Sequence, residues 1–289
     1  MTSLTLPAYA KVNLFLDILR RRPDGYHDLE MINAKITLQD TVTCTLNDKG
    51  EIRVYVNQPG IPCDEKNTAF RAAKQFFASH GAAQGVEITL EKHIPTGAGL
   101  GGGSSNAAAV LLALNRLTGE TMTRSDLVEI GAGIGADVPF FLYEGACHLH
   151  GVGERVESLP VRRHERALPW VVLLSPRLEI STKTAYALWD AASPSAHLPS
   201  GALIAALRQG AWDHIPQGLY NAFESVIYPA FPELQKVYLD FCSLSPTRPL
   251  LSGSGSNLFS VTADQESAER LAEALRDAGY AAAAHQLLL

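Results

Sequence analysis

One glycine-rich loop constrains the fold of this chain more than any other stretch. An alternating apolar segment with Val86, Ile88 and Leu90 precedes the loop and predicts a half-buried strand. An alanine- and leucine-rich run, residues 106–114, follows the loop and predicts a helix. Between this strand and this helix lie Pro95, Thr96, Gly97, Ala98, Gly99, Leu100, Gly101, Gly102, Gly103, Ser104 and Ser105.

The composition of the loop predicts that it binds phosphate through its backbone. Glycine has no Cβ atom, so backbone N–H groups can approach an anion closely. The start of the following helix adds unpaired N–H donors and the positive end of the helix dipole. Ser104 and Ser105 are suitable N-cap residues, and their hydroxyls can also meet a metal ion or a phosphate oxygen. Because the loop has no lysine, further charge neutralisation must come from a metal ion and from residues elsewhere.

Two familiar nucleotide-binding motifs fit this loop only in part. Gly97, Gly99 and Gly102 match G-x-G-x-x-G, but residues 123–130 predict a second capped helix where a dinucleotide-binding unit needs a parallel strand. A P-loop needs a lysine directly after its last glycine, and Gly102 is followed by Gly103. A plain structural turn or linker is disfavoured by the position of the loop between a strand and a helix.

The overall composition predicts a cytoplasmic protein. The net charge is −6 and no Lys/Arg cluster is large, so we expect no nucleic-acid partner. No apolar run is long enough to span a bilayer, and the N-terminus lacks the pattern of a signal peptide. The four scattered cysteines form no C-x-x-C pair, which indicates free thiols in a reducing compartment. We expect no membrane partner and a monomer or weak homodimer.

Polar residues capable of chemistry occur in the predicted first strand and in the turn that follows it. Lys11 and Asn13 share one face of an extended segment, opposite the apolar face of Val12 and Leu14. The turn at residues 23–25 is Pro-Asp-Gly, and it presents Tyr26 and His27 immediately afterwards. Residues 35–56 alternate in several pieces around a turn at 47–50, which predicts a hairpin.

Later segments add further candidate site residues. Asp137 follows two glycines and precedes Val-Pro, and Tyr186 lies near the start of a predicted helix. Residues 250–261 predict a strand, a turn containing Gly253, Ser254 and Gly255, and a second strand. The pair His148 and His150 has the spacing of metal ligands but lacks an obvious third ligand, so we expect strand residues there.

Several of these stretches together resemble the GHMP kinases. The loop reads P-x-x-x-G-L-G-G-G-S-S-N-A-A, residues 8–14 read A-x-A-K-x-N-L, residues 135–140 read G-A-D-V-P-F, and residues 250–261 resemble the third motif of these kinases. The segment R-x-D-G-Y-H at residues 22–27 resembles the cytidine-binding segment of the diphosphocytidyl-methylerythritol kinases within this superfamily. The similar stretches extend from about residue 8 to residue 260.

The resemblance implies an α+β, two-domain GHMP kinase fold with the active site in the cleft between the domains. The ATP-binding domain would comprise residues 1–158 and the second domain residues 159–289, with the boundary at a polar stretch. The implied reaction is ATP-dependent phosphorylation of the 2-hydroxyl of a diphosphocytidyl-methylerythritol substrate, a step of non-mevalonate isoprenoid precursor synthesis.

The resemblance also implies roles for individual residues. Asp137 would be the catalytic base, Lys11 would keep it ionised, and residues 95–105 would bind ATP with Mg²⁺, whose protein ligands the sequence does not identify. For Asn67 and Lys92, a contact with the adenine end of ATP and a structural role both stay open. The substrate would contact Asn13, Tyr26, His27, Tyr186, Gly253, Ser254 and Gly255.

Three alternatives stay open at this point. Another GHMP kinase, of the homoserine or mevalonate type, is disfavoured by Tyr26 and His27. The G-x-G-x-x-G match suggests a dinucleotide-dependent oxidoreductase as a second alternative. A binding module without catalysis is disfavoured because Lys11 and Asp137 are both present.

Overall fold

The computed structural model describes residues 2–81, 84–162, 167–192, 194 and 197–289. The polar stretch at the predicted domain boundary is described in part, since residues 163–166 lie outside these ranges. Helices and strands alternate in an α+β arrangement, as the sequence predicts. Within the described ranges, no helix is both long and apolar enough to cross a lipid bilayer.

The first two strands form a long antiparallel hairpin on which the sheet is built. Strand β1 (Ser3–Arg21) pairs with β2 (His27–Asn47) along nearly its whole length. The sheet then has the order β3 (Ile52–Val56), β4 (Gly85–Glu91), β2, β11 (Ala282–Leu288), β7 (Trp170–Leu174), β10 (Leu258–Thr262) and β9 (Leu250–Leu251). Off this path, β5 (Cys147–Gly151) pairs with β2 and with β6 (Arg155–Ser158), and β8 (Tyr220–Asn221) pairs with β1.

The hairpin predicted for residues 35–56 is wrong. The turn at 47–50 is present, but β3 does not pair with β2, because β4 lies between them and β3 runs parallel to β4. Strand β4 therefore takes the position beside β2, pairing Thr41–Asn47 with Gly85–Glu91. This places the end of β4, and the loop after it, next to the middle of β2.

Four helices belong to the N-terminal part and six to the C-terminal part of the described chain. The first four are α1 (Thr68–His80), α2 (Gly102–Leu117), α3 (Arg124–Ile134) and α4 (Val138–Phe141). The other six are α5 (Thr182–Ala192), α6 (Gly201–Gln209), α7 (Ile215–Gly218), α8 (Glu224–Ala230), α9 (Pro232–Leu244) and α10 (Gln265–Asp277).

Helix α2 is the buried support of the glycine loop. Its sequence is apolar on nearly all sides, and a helix of this kind is stable only inside a protein. Its alanines let neighbouring elements approach closely, and α1, α3, α4 and the β1–β2 hairpin all pack against it. The loop at its N-terminus is therefore attached to one of the most deeply buried elements of the molecule.

The two parts of the chain are joined through strand β11. Its residues 282–286 pair with β7, and Leu287 and Leu288 pair with Ile36 and Lys35 of β2. The last strand thus connects the N-terminal sheet to the C-terminal one.

We predict that Phe76→Ala lowers the free energy of unfolding by about 3–5 kcal/mol, the usual cost of truncating a buried phenylalanine. Phe76 is 0% exposed in the core beneath α1. Chemical denaturation followed by circular dichroism measures the loss. Leu239→Ala on α9 is the control, because Leu239 is 56% exposed and its truncation should cost less than about 0.5 kcal/mol. Equal losses in the two variants would contradict the prediction.

Candidate active site

A cleft of about 1080 Å³ brings together most of the residues that the sequence singles out. Its walls come from β1, the turn before β2, the glycine loop, the start of α5 and the turn between β9 and β10. The lining includes Lys11, Asn13, Tyr26, His27, residues 95–104, Asp137, Tyr186, Gly253 and Ser254. Ser105 and Gly255 are buried and do not belong to this lining.

The N-cap prediction for the helix after the loop is wrong by a few residues. Gly101 is the N-cap of α2, with a left-handed backbone at φ 71°, and Ser104 and Ser105 lie within the first turn. The first N–H group to bond back within the helix is that of Ser105, to the Gly101 carbonyl at 2.9 Å. The N–H groups of Gly102, Gly103 and Ser104 precede this bond and have no intrahelical acceptor. All three residues line the cleft, where such donors favour an anion.

The carbonyl groups of the loop are held by three different parts of the chain. The Lys11 N–H on β1 donates to the Leu100 carbonyl at 3.0 Å. Thr68 Oγ1, at the start of α1, donates to the Gly103 carbonyl at 2.7 Å. Asn257 Nδ2, near the start of β10, donates to the Ala98 carbonyl at 2.9 Å. The loop is thus fixed through its acceptors.

Lys11 is a buried ammonium in a chain of amide side chains. Only 4% of the residue is exposed, and its Nζ donates to Asn13 Oδ1 at 2.5 Å. Asn13 Nδ2 in turn donates at 2.6 Å to Oδ1 of Asn33, which lies opposite it on β2. Burial lowers the pKa of Lys11, and the negative charge of Asp137 opposes this shift. The two charged groups therefore lie close enough to affect one another.

Asp137 lies at the N-terminus of the short helix α4, directly before Val138 and Pro139. Lys35 on β2 supports the other end of this helix, because its Nζ donates to the carbonyls of Phe141 at 3.3 Å and Tyr143 at 2.5 Å. Burial lowers the pKa of Lys35. Lysine side chains that bond the last carbonyls of a helix are a familiar C-terminal cap. No local motif predicts this role for Lys35, because its strand is 106 residues away from Phe141 in the chain.

Three ring side chains from three segments, His27, Tyr186 and Phe223, form an aromatic wall of the cleft. The ring of Tyr186 stacks on His27 with centroids 4.5 Å apart and meets the edge of Phe223 at 5.0 Å. His27 Nε2 lies 2.7 Å from Asp190 Oδ1, which fixes the orientation of the imidazole. Burial, with a smaller contribution from Asp137, raises the pKa of Tyr186. Tyr26, in contrast, is 64% exposed at the rim.

The turn between β9 and β10 closes against the glycine loop. A Cβ atom on Gly99 would come within 2.3 Å of the Ser252 carbonyl oxygen, so only glycine fits there. Asn221 Nδ2 donates to the Gly253 carbonyl at 2.7 Å, and Ser254 Oγ lies 3.2 Å from Thr182 Oγ1. Gly253 and Ser254 thus join the first glycine loop to the start of α5. Asn221 and Asn257, which hold this arrangement, have no motif by which the sequence alone could have identified them.

Of the two residues for which the sequence leaves a contact with ATP open, Lys92 lines the cleft and Asn67 does not. Asn67 is the N-cap of α1: its Oδ1 accepts from the Ala69 N–H at 2.9 Å, and it is not part of the cleft lining. Lys92 lines the cleft although its side chain is almost fully buried.

The histidine pair on β5 has an ordinary structural environment. His148 Nε2 lies 3.0 Å from Glu30 Oε1 of the neighbouring strand, and the His148 and His150 rings are 4.1 Å apart. Across the part of the chain that the structure describes, no three His, Cys, Asp or Glu side chains are grouped as metal ligands.

Comparison with known proteins agrees with this geometry. Residues 67–145 match the GHMP kinase N-terminal domain. The chain is 36% identical, over the full length of both proteins, to 4-diphosphocytidyl-2-C-methyl-D-erythritol kinase of Pelobacter propionicus. It is 38% identical to the enzyme of the same name from Exiguobacterium sibiricum, with 95% of this chain and 94% of the relative covered.

The chain belongs to the 4-diphosphocytidyl-2-C-methyl-D-erythritol kinase family of the GHMP kinases. A crystal structure of 4-(cytidine 5'-diphospho)-2C-methyl-D-erythritol kinase superposes with a TM-score of 0.80 at 35% identity, covering 99% of this chain and 100% of that one. Homoserine kinase from Cytophaga hutchinsonii shares the fold, with a TM-score of 0.73 at 24% identity and coverage of 100% and 95%.

This membership confirms the two-domain GHMP kinase fold and makes the protein a kinase with ATP as its phosphoryl donor. The dinucleotide-dependent oxidoreductase and the non-catalytic binding module, both left open by the sequence, are thereby excluded.

Two glycines of the loop form a matched pair for a stability test. Gly97 and Gly101 have nearly the same positive φ, 68° and 71°, but their surroundings differ. A Cβ on Gly97 would meet nothing within 4 Å, whereas one on Gly101 would lie 2.8 Å from Phe141 Cζ and 3.2 Å from Lys11 Cγ.

We predict that Gly97→Ala lowers the free energy of unfolding by about 1–2 kcal/mol, because alanine is strained in the left-handed backbone conformation. Gly101→Ala should lower the free energy of unfolding by about 1–3 kcal/mol more than Gly97→Ala does, because Phe141 and Lys11 must also move. Chemical denaturation of both variants measures the difference. Equal losses would mean that the ring of Phe141 adapts freely and that the contact does not constrain the loop.

Proposed function

We propose that this kinase transfers the γ-phosphoryl group of ATP to the 2-hydroxyl of 4-diphosphocytidyl-2-C-methyl-D-erythritol, in non-mevalonate isoprenoid precursor synthesis. The observation that carries the proposal is the composition of one cleft. It combines Lys11, Asp137 and the glycine loop with Tyr26, His27 and Tyr186. The names of full-length relatives at 36–38% identity support the same substrate.

The triphosphate of ATP is proposed to bind residues 95–105, with Gly102, Gly103 and Ser104 as the central donors. Their N–H groups come before the first intrahelical hydrogen bond of α2 and line the cleft. The carbonyls of the loop are already bonded to Lys11, Thr68 and Asn257, so the loop has little freedom left to lose on binding. A donor array that is ordered in advance binds with a smaller entropy cost.

The oxygen donors of the cleft fit Mg²⁺ in the form that nucleotide kinases use. Mg²⁺ keeps several waters and takes one or two protein oxygens together with substrate phosphates. Ser104 Oγ lies 3.8 Å from the Cβ position of Gly135, two residues before Asp137, so a hydroxyl and a carboxylate are available beside the loop. Ser104 would hold the ion together with the phosphate oxygens, which leaves the Asp137 carboxylate available to accept a proton. When bound, Mg²⁺ neutralises charge on the β- and γ-phosphates.

Asp137 is the proposed general base. A tertiary hydroxyl is a weak nucleophile, and a carboxylate within hydrogen-bond reach accepts its proton as the new P–O bond forms and the bond from the γ-phosphorus to the departing ADP breaks. Lys11 supports the transfer, since the negative charge of Asp137 favours its ammonium form, which would counter the charge on the transferred phosphoryl group. Asn13 accepts a hydrogen bond from Lys11 Nζ and keeps the ammonium in place.

The cytosine ring is proposed to lie between Tyr26 and Tyr186, with His27 bonded to its edge. In the structure His27 itself stacks on Tyr186, so a base in this position replaces the imidazole on the tyrosine face. The lost stacking of His27 on Tyr186 is of the order of 0.5–1.5 kcal/mol, and stacking of the cytosine on the same tyrosine face compensates for it. Gly253, Ser254 and Gly255 are proposed to approach the diphosphate of the substrate, because their turn lies between the glycine loop and α5.

We further propose that the domain boundary lies at residues 158 and 159, that the enzyme works in the cytoplasm as a monomer or weak homodimer, and that its partners are small molecules alone. The matched N-terminal domain, residues 67–145, falls within the first proposed unit. The net charge of −6 supports the absence of a nucleic-acid partner.

The proposed reaction is tested by a coupled assay of ADP release with separate acceptors. We expect turnover with the diphosphocytidyl substrate and none above background with homoserine or mevalonate. CDP should compete with the acceptor and not with ATP. Turnover with homoserine or mevalonate alone, or competition of CDP against ATP alone, would overturn the assignment of the substrate.

Asp137→Asn should lower kcat by roughly 10²–10⁴-fold, the usual contribution of a positioned base. The affinity for ATP, measured by calorimetry, should change by less than about threefold, because the amide keeps the shape of the side chain and the loop is intact. Near-normal turnover in a folded variant would remove Asp137 from this role.

Tyr186→Ala should raise KM for the diphosphocytidyl substrate by roughly 5–150-fold, since stacking on a base contributes about 1–3 kcal/mol. KM for ATP should stay nearly unchanged. Tyr186→Phe is the matched control, because it keeps the ring face and should behave like the wild type. If the phenylalanine variant lost as much as the alanine variant, the hydroxyl and not stacking would account for the effect.

A further inference from the structure

A buried carboxylate on β2, that of Asp40, connects the two ends of the glycine loop. The residue is 0% exposed, and no motif in the sequence draws attention to it. Its Oδ1 accepts from the backbone N–H groups of His93 at 2.7 Å and Ile94 at 2.8 Å, directly before the loop. Its Oδ2 accepts from Asn106 Nδ2 at 2.9 Å, in the second turn of α2. The chain thus enters and leaves the loop beside the same carboxylate.

The fourth donor to Asp40 is Lys92, and its ammonium occupies an unusual place. Lys92 Nζ bonds Asp40 Oδ2 and also donates to Asn106 Oδ1 at 3.0 Å. It lies 3.3 Å from the Cβ position of Gly102, the first residue of α2. The Lys92 side chain is only 4% exposed, yet the residue lines the cleft.

A cation at this position is unfavourable unless something compensates it. The N-terminus of a helix carries the positive end of the dipole, which repels an ammonium. Removal of the ammonium from water adds a further penalty, which a carboxylate in good geometry offsets. Asp40 supplies this carboxylate. An anion in the cleft would gain from the ammonium and from the free N–H groups of α2 at the same time.

We infer that Asp40 is a positioning residue for nucleotide binding, which acts by holding the Lys92 ammonium at the start of α2 and by tying the two ends of the glycine loop together. The inference deepens the proposed function and rests on the loop being the site of the ATP phosphates. The loop has no lysine of its own, and Asp40 places Lys92 where such a lysine would act. Asp40 itself touches no substrate.

The test measures ATP binding by titration calorimetry without any acceptor. In Asp40→Asn, the amide oxygen can still accept from His93 and Ile94, but the amide N–H₂ faces Lys92 and Asn106. The ammonium then loses its carboxylate and leaves its position. We expect the Kd for ATP to rise at least tenfold, with KM for the acceptor within twofold of the wild type. A Kd for ATP within twofold of the wild type, in a folded variant, would overturn the inference.

A double-variant comparison tests whether Asp40 acts through Lys92. Lys92→Met should also raise the Kd for ATP at least tenfold. If Asp40 works by placing this ammonium, Asp40→Asn adds less than about threefold to Lys92→Met, because there is no ammonium left to place. If the rise in Kd for ATP in the double variant equalled the product of the two single-variant rises, the residues would act independently and the inference would be overturned.

Asp17→Asn is the matched control for a loss that is only structural. Asp17 is another fully buried strand carboxylate, it accepts from the Ile18 N–H at 2.8 Å, and a histidine, His197, lies 3.0 Å away. It does not line the cleft. We expect Asp17→Asn to lower the unfolding midpoint and to leave the Kd for ATP unchanged. If both aspartate variants weakened ATP binding in proportion to their loss of stability, a positioning role for Asp40 would be excluded.

Asn106→Leu provides an independent variant should Asp40→Asn fail to fold. It removes the amide that donates to Asp40 and accepts from Lys92, and it leaves both charges in place. We expect a rise of about three- to tenfold in the Kd for ATP, and no change would overturn the inference. Because the Kd measurements omit the acceptor, failure of the proposed substrate would appear only in the turnover assay and would leave the calorimetric test valid.

Discussion

The active site depends on holding a loop that is mostly glycine in a single conformation. Glycine loses more backbone freedom on folding than any other residue, and five glycines lie between residues 97 and 103. The protein offsets this cost by bonding the loop carbonyls of Ala98, Leu100 and Gly103 to three separate elements. Because these bonds use the carbonyl groups of the loop, the N–H groups at the start of α2 stay available at the cleft, where they suit an anion.

The charges around the loop are balanced in pairs. Lys92 forms an ion pair with Asp40, and the negative charge of Asp137 favours the ammonium form of Lys11, with both lysine side chains almost fully buried. A buried ammonium without a partner would be deprotonated or would destabilise the fold. Amide side chains complete each pair, Asn13 for Lys11 and Asn106 for Lys92. Both ammonium groups are therefore fixed in orientation before any phosphate arrives, which is the condition for electrostatic stabilisation of a developing charge.

Much of the site could be predicted from sequence because its residues lie in short local motifs. Lys11 and Asn13 share a strand face, the Pro-Asp-Gly turn presents Tyr26 and His27, and the strand–loop–helix order around residues 95–105 is local. The errors were also local in cause. Serine hydroxyls predicted an N-cap, but Gly101 takes that position, where the backbone is left-handed and a Cβ would press on the side chain of Phe141. A good turn at residues 47–50 predicted a hairpin, but β4 pairs with β2 instead.

Spacing along the chain is enough to predict the glycine loop, the polar face of the first strand and the turn with its aromatic pair. The distant groups that support these features are known only from the folded protein. Asp40, Lys35, Asp190, Asn221 and Asn257 act on partners 30 to 163 residues away. Their roles follow from strand order and packing, because a single buried Asp, Lys or Asn has no local pattern and gains its function from the donors and acceptors that the fold brings to it.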